Sequence, residues 1–286
     1  MMQGATIGRL VVLAAGASSR MKKSAAGRGG DAFAREALER TKSMIGVGKG
    51  GRPFLDYLLI NARDAGYRDI VIVVGESDAE IRARYGRPDE ALVGLTLSFA
   101  VQAIPAGRTK PLGTADALLA AMRARSDWRG GKFTVCNSDN LYSRGAMRSL
   151  LETPHPCALI DYDRDALRFS ESRIAQFAVL EKDARGFLTG IIEKPSPADI
   201  ARVRDARGRV GVSMNIWRFS YDMVAGPLES IPLHPLRQEK ELPVAVGLLI
   251  REHPGTMFAI PVSEYVPDLT SLDDIDEVRR YLEAYP

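Results

Sequence analysis

The run Gly8-Arg-Leu-Val-Val-Leu-Ala-Ala15, followed at once by Gly16-Ala-Ser-Ser-Arg20, constrains the fold more than any other segment of the 286 residues. A continuous apolar run rich in β-branched side chains, with no polar alternation, suits a strand covered on both faces, as in a parallel sheet. At about half the length that spans a bilayer, and with no Lys/Arg-rich segment ahead of it, the run 7–15 is expected to be a buried strand and not a membrane span. The small residues after it form a loop whose backbone N–H groups can approach a phosphate. Gly16 allows a tight turn and Arg20 supplies a charged fork, although a plain strand-to-loop turn uses the same residues.

Periodicity extends this start into a repeating order. Apolar positions at helical spacing over 53–65, with Gly66 as the stop, predict a helix, and 69–75 repeats the buried-strand signature. A helix over 77–85, a strand over 95–102, a helix over 114–125 and a strand over 132–136 follow. Strand, helix, strand, helix implies right-handed βαβ units and an α/β fold, a Rossmann-like doubly wound, mostly parallel sheet. The second half predicts strands over 158–162, 174–181, 187–193 and 210–219, with a turn at 182–186, and hence a mixed-sheet extension. Helices are expected over 239–250 and 273–281, the second opened by a Ser271/Asp274 capping box. The stretches 21–41 and 104–112 resist a regular assignment and flank the end of the sheet where open α/β folds bind ligands.

Composition narrows the function classes. With 45% hydrophobic and 26% charged residues the chain can bury one sizeable core or two small ones. The 39 basic and 36 acidic residues leave a formal charge of +3 spread along the chain, which does not favour a nucleic-acid partner. Cys136 and Cys157 form no C-x-x-C pair and no N-x-[ST] sequon occurs, so a reducing cytoplasmic setting is expected, with no membrane partner. His155, His234 and His253 stand beside prolines and suggest loops, not a metal cluster. No G-x-S-x-G elbow, no G-x-G-x-x-G fingerprint and no P-loop is present, since Gly50 follows Lys49 and Ser43 stands where a P-loop needs glycine.

Five segments, in order, carry a resemblance. Leu13-Ala-Ala-Gly-Ala-Ser-Ser-Arg-Met21 resembles the L-A-A-G-x-x-x-R-[LM] signature of the sugar-1-phosphate nucleotidylyltransferases. Thr41-Lys-Ser-Met with Gly51-Arg-Pro-Phe-Leu is similar to that family's continuation, and Pro111-Leu-Gly-Thr-Ala to its nucleobase segment. Cys136-Asn-Ser-Asp-Asn-Leu resembles its metal-aspartate segment and Ile192-Glu-Lys-Pro195 its sugar-phosphate segment. The resemblance runs from residue 7 to about 283. It implies a glycosyltransferase-A-like nucleotidyltransferase fold over 1–286 as one domain, with a nucleotide part over about 1–140 and a sugar-phosphate part over about 141–286.

The same resemblance implies the site. Leu13, Ala14, Ala15, Gly16, Gln102, Gly113 and Thr114 would bind the nucleotide, with Arg20 and Lys42 on the triphosphate. Glu193, Lys194 and Asn215 would hold the sugar phosphate, and Asp139 and Asp268 a Mg²⁺ ion, two carboxylates being suitable donors to a hard cation. The substrates implied are a nucleoside triphosphate and a sugar 1-phosphate, and a homo-oligomer is in keeping with the family. Read from the residues alone, Asp268 is a turn aspartate, Glu193-Lys194 a surface ion pair, Asn215 a satisfied amide within a strand, and the charges of 239–243 a solvated face. Three departures stand out: Thr270 replaces a glycine of the family's D-x-G-T, Phe177-Ala178 replaces a Tyr-Gly pair, and 106–110 is inserted. A transferase with a non-sugar phosphate or cofactor acceptor, and a non-catalytic nucleotide-sugar sensor, are the rival readings. A dinucleotide oxidoreductase lacks its glycine fingerprint.

Overall fold

The computed structural model describes residues 7–16, 18–26 and 32–284, so Ala17 of the first loop and 27–31 of the irregular stretch lie outside the described residues. The elements, in chain order, begin with β1 (Gly8–Leu13), α1 (Ser19–Ala25), α2 (Ala32–Glu39), α3 (Phe54–Ala65), β2 (Tyr67–Gly75), α4 (Ala79–Tyr85), β3 (Thr96–Gln102), α5 (Thr114–Ala124) and β4 (Lys132–Asn137). There follow α6 (Arg144–Glu152), β5 (Cys157–Asp163), α7 (Glu171–Ile174), β6 (Val179–Lys182), β7 (Leu188–Ile192), α8 (Pro197–Arg202), β8 (Gly211–Val212), β9 (Ile216–Ser220), α9 (Tyr221–Ser230), α10 (Leu242–Glu252), β10 (Met257–Val262) and α11 (Ile275–Ala284). None of these helices is long and apolar enough to cross a membrane.

One sheet joins all ten strands in the order β3-β2-β1-β4-β9-β5-β8-β6-β7, with β10 beside β5. β3, β2, β1 and β4 run parallel, Val12 facing Ile72 on one side and Cys136 on the other. β9 enters antiparallel between β4 and β5, and β6 and β7 form a hairpin at the far edge, so the predicted parallel half and mixed extension are both present. The absence of polar alternation in β1 has its cause here. Leu10 and Val12 pack under α3 and α6, while Val11 and Leu13 pack under α5, α9 and α10.

The first-half elements fall where periodicity put them, and Gly66 closes α3 at φ +111, donating its N–H to Ala62 and Arg63 carbonyls. The Ser271/Asp274 capping box is formed, on a 3₁₀ turn that runs into α11. Four expectations need correction. The stretch 21–41 is helical at both described ends, since Met21, Ala25, Ala34 and Ala37 make a small-residue apolar face that packs on the core. The expected strand over 174–181 starts only at Val179, because α7 occupies its first residue. The expected strand over 210–219 breaks into β8 and β9 at Ser213–Asn215, where Asn215 adopts φ +57. The helix expected from 239 begins at Leu242, since the Lys240 backbone is tied to Leu112 and Ala115 through its N–H and carbonyl. Pattern also passed over α6, α9 and β10, the last two carrying internal prolines, Pro227 and Pro261.

Candidate active site

Three parallel strands deliver the first wall of the site. The carboxyl ends of β1, β3 and β4 place Leu13, Gln102 and Asn137 around one cavity of about 360 Å³. The first loop lines it through Ala14, Ala15, Gly16, Ser18 and Arg20. The sequence assigned the tight turn to Gly16, but the left-handed residue is Ser18, at φ +51. Nothing lies within 4 Å of where a Gly16 Cβ would stand, so that glycine leaves space open above the strand end. Ser18 Oγ accepts from the Lys42 N–H at 3.2 Å, which ties the first loop to the second basic residue.

Gln102 is buried at 3% exposure and its Nε2 donates twice, to the Gly113 carbonyl at 2.9 Å and to Asp116 Oδ2 at 2.8 Å. With both amide hydrogens taken, the oxygen is the group left to meet a ligand. Gly113 sits at φ +101, and a Cβ there would stand 2.7 Å from the Lys240 carbonyl. This close approach locks the start of α5 to the 238–241 segment, and Thr114 Oγ1 accepts from the Leu242 N–H at 2.9 Å.

Asp139 and Asp268, about half the chain apart, are brought face to face by a short antiparallel pairing. Asn140 bridges Asp268, Leu269 N–H donates to the Asp139 carbonyl at 2.8 Å, and Leu141 N–H donates to Pro267 at 2.9 Å. Burial pushes the Asp268 carboxyl above its ordinary value, and the neighbouring Asp139 charge pushes the same way, with Arg173 and the Thr270 hydroxyl opposing. Each carboxylate already has a cation: Lys42 pairs with Asp139, and Arg173 Nη2 lies 3.0 Å from Asp268 Oδ2. Thr270, at the family's glycine position, donates its hydroxyl to Asp268 Oδ1 at 2.5 Å.

A second cavity, of about 440 Å³, adjoins the first and shares with it Arg20, Thr114, Asn137, Asp139, Glu241 and Thr270. Its far side is made by Phe177, Ala178, Glu193, Met214, Asn215 and Asp268. Asn215 is thus not an amide within a strand; its left-handed turn sets it on the cavity wall. Lys194 departs from expectation, since it is exposed at φ +48 beyond the end of β7 and lines neither cavity. Glu193 and the other anticipated residues do come together. Arg173, Arg237 and Glu241 were missed. The charges of 239–243 read as a solvated face, yet Glu241 lines the cavity, where its Oε2 pairs with Arg237 Nη2 at 2.5 Å. Burial raises the Glu241 carboxyl, Arg237 opposes that, and the Glu193 charge adds to it. The available signal was Pro243, which starts a helix and leaves the charges before it in a segment of another kind.

A family profile described as nucleotidyl transferase matches residues 37–241. Over 147 residues, 51% of the chain, the sequence is 29% identical to the bifunctional protein GlmU of Aquifex aeolicus (strain VF5), and the match takes in only 25% of that protein. Among solved structures, a UDP-glucose pyrophosphorylase complexed with UDP-glucose aligns with a TM-score of 0.70 at 13% identity, over 98% of this chain and all of the other. UTP-bound UGPase from Acinetobacter baumannii aligns with a TM-score of 0.69 at 17% identity, over 96% and 93% of the two chains. The structural likeness carries the fold, and the profile, covering most of the chain with Lys42 and Asp139 inside it, places the chain in the nucleotidyl transferase family.

Proposed function

We propose that the chain is a sugar-1-phosphate nucleotidylyltransferase, joining a nucleoside triphosphate to a sugar 1-phosphate with release of pyrophosphate. One observation carries this reading: two cavities of different lining meet at Arg20 and Asp139, where a phosphate from each side can come into contact. The first has a glycine-bearing loop and a buried glutamine for a nucleotide, the second carboxylates and an amide for hydroxyls. The acceptor phosphate oxygen attacks the α-phosphorus in line and pyrophosphate leaves from the opposite side, so no enzyme nucleophile is needed. Catalysis then rests on positioning and charge neutralisation.

Roles follow from placement. Arg20 and Lys42 serve the triphosphate, and Glu193, Asn215 and Glu241 accept from or donate to sugar hydroxyls, with Arg237 holding Glu241 in place. Lys194 would reach the acceptor phosphate from outside the rim. Gln102 offers its oxygen, which suits a base with an imino N–H such as uracil, and UTP is the base we favour, in keeping with the UDP-glucose and UTP of the structural neighbours. Asp139 and Asp268 are hard oxygen donors on paired segments and fit a divalent cation of the Mg²⁺ kind. Among the described residues no group of three or more His, Cys, Asp and Glu is arranged to hold a metal ion, so the remaining donors would be phosphate oxygens and water. When bound, such an ion supplies charge neutralisation to both phosphates. The nucleotide and acceptor halves, about 1–140 and 141–286, are the working division of the chain that this reading uses.

Pyrophosphate release across a grid of nucleoside triphosphates and hexose 1-phosphates, with Mg²⁺, tests it. Release is expected only where one triphosphate and one sugar phosphate are present together, UTP being the expected triphosphate. A silent grid in which triphosphates still raise the melting temperature would replace the proposal with a non-sugar acceptor or a sensor.

A further inference from the structure

Arg173 is none of the three basic positions read from sequence, Arg20, Lys42 and Lys194, yet it pairs with Asp268 on the acceptor side. Its guanidinium stacks over the Phe169 ring at 4.5 Å and forks, with Nη1 on Asp274 and Nη2 beside Asp268. The two arms differ. Asp274 is a built anchor whose Oδ2 also accepts from the Thr270 N–H at 2.9 Å, the Ser271 N–H at 2.6 Å and the Ser271 hydroxyl. Nη2, by contrast, is buried and has Asp268 Oδ2 alone beside it, at 3.0 Å and poorly aligned for a hydrogen bond. A donor so weakly held, on a side chain that lines the second cavity, can change to an acceptor atom supplied from that cavity.

We propose that Arg173 is an exchangeable counterion: it neutralises Asp268 in the empty site and, anchored on Asp274, turns Nη2 to the acceptor phosphate once Asp268 is engaged by a divalent cation. The proposal rests on the acceptor being a phosphate, as read above. It accounts for an acceptor cavity whose family lysine equivalent, Lys194, is outside the lining. It also accounts for a tolerated Thr270, whose hydroxyl holds the other Asp268 oxygen while Arg173 moves. A guanidinium suits the exchange because its planar fork can keep one arm fixed while the other changes partner.

The proposal sets two effects of Arg173→Gln against each other. With the resident cation gone, nucleotide-free protein should bind Mn²⁺, followed by the EPR signal of the free ion, about tenfold more tightly, while the KM for sugar 1-phosphate rises about tenfold and that for the triphosphate stays within about twofold. Arg173→Lys, which keeps the charge, should return Mn²⁺ affinity to the wild-type value. A purely structural role would weaken Mn²⁺ binding and both substrates together, and that result, or an unchanged acceptor KM, overturns the proposal. The Mn²⁺ titration needs no acceptor, so it reads Arg173 even if the sugar-phosphate assignment fails, and the wild-type grid reads that assignment without Arg173. Should Arg173→Gln not fold, a wild-type crystal structure with Mg²⁺ and a non-hydrolysable triphosphate decides. Nη2 more than about 4 Å from Asp268 with Nη1 still on Asp274 supports the exchange, and an unmoved Nη2 refutes it.

Discussion

Asp139 and Asp268 share one small volume, and each is paired with a cation before any ligand arrives. Removing a carboxylate therefore alters charge at the reacting phosphates while leaving the sheet untouched. Asp139→Asn should lower kcat by about 10³ or more, since an amide is a poor donor to a hard cation. Its melting temperature should stay within about 3 °C of wild type. Pyrophosphate release and a thermal melt check both, and turnover within about twofold of wild type at saturating Mg²⁺ would remove Asp139 from the site. Glu264 is a different case. Its Oε1 is buried without a hydrogen-bond partner, and burial raises its carboxyl above the ordinary value against a smaller opposing effect of Ser143. A raised acid favours the fold while protonated and loses that contribution as pH rises through its folded value. Glu264→Gln should thus raise the melting temperature by about 2 °C at about pH 8 and leave it unchanged at about pH 4, measured as paired thermal melts. An equal gain at both pH values would show that ionisation is not the cause.

At the scale of elements, the site is held by contacts between segments that sequence spacing keeps far apart. The Gly113 turn meets the Lys240 backbone, so the start of α5 and the segment before α10 act as one clamp around Gln102. Gly113→Ala combines a left-handed backbone with a backbone collision. It should lose about 1–3 kcal/mol of stability and raise the triphosphate KM about tenfold or more, with the acceptor KM less affected. Steady-state kinetics with each substrate varied in turn, beside a denaturant melt, would show it. A variant with unchanged triphosphate KM would mean the clamp does not shape the nucleotide pocket. Where helix and strand periodicity was strong, as in α3 and β2, elements were legible. Where Pro227 or Pro261 interrupted the pattern, or Asn215 turned the chain by φ +57, they were not, because local preference there yields to packing.

The whole molecule places the first cavity at the carboxyl ends of β1, β3 and β4 in a ten-stranded sheet, and the second beside it, beyond the point where β9 enters antiparallel to β4. Ligands that bind only the folded chain add stability by mass action. UTP with Mg²⁺ at about a hundred times its dissociation constant should add about 2.7 kcal/mol, or about 5 °C or more in melting temperature. Sugar 1-phosphate alone should add less, since Arg173 is still held by Asp268. No shift with any triphosphate would remove the nucleotide from the first cavity.

From its own order of residues the chain determined the parallel half of the sheet and the loop after β1, and its short motifs pointed to a minority of the residues that line the two cavities. These depend on local periodicity and on short motifs, whose physics is contained within a dozen positions. Only the tertiary structure decided which charges meet. Arg173 and Arg237 sit in no motif, and Lys194 sits in the family motif, yet the first two line the acceptor cavity and the third does not. Ion pairing across the 95 residues from Arg173 to Asp268 leaves no trace in spacing, because it depends on how α7 and the loop before α11 pack against each other.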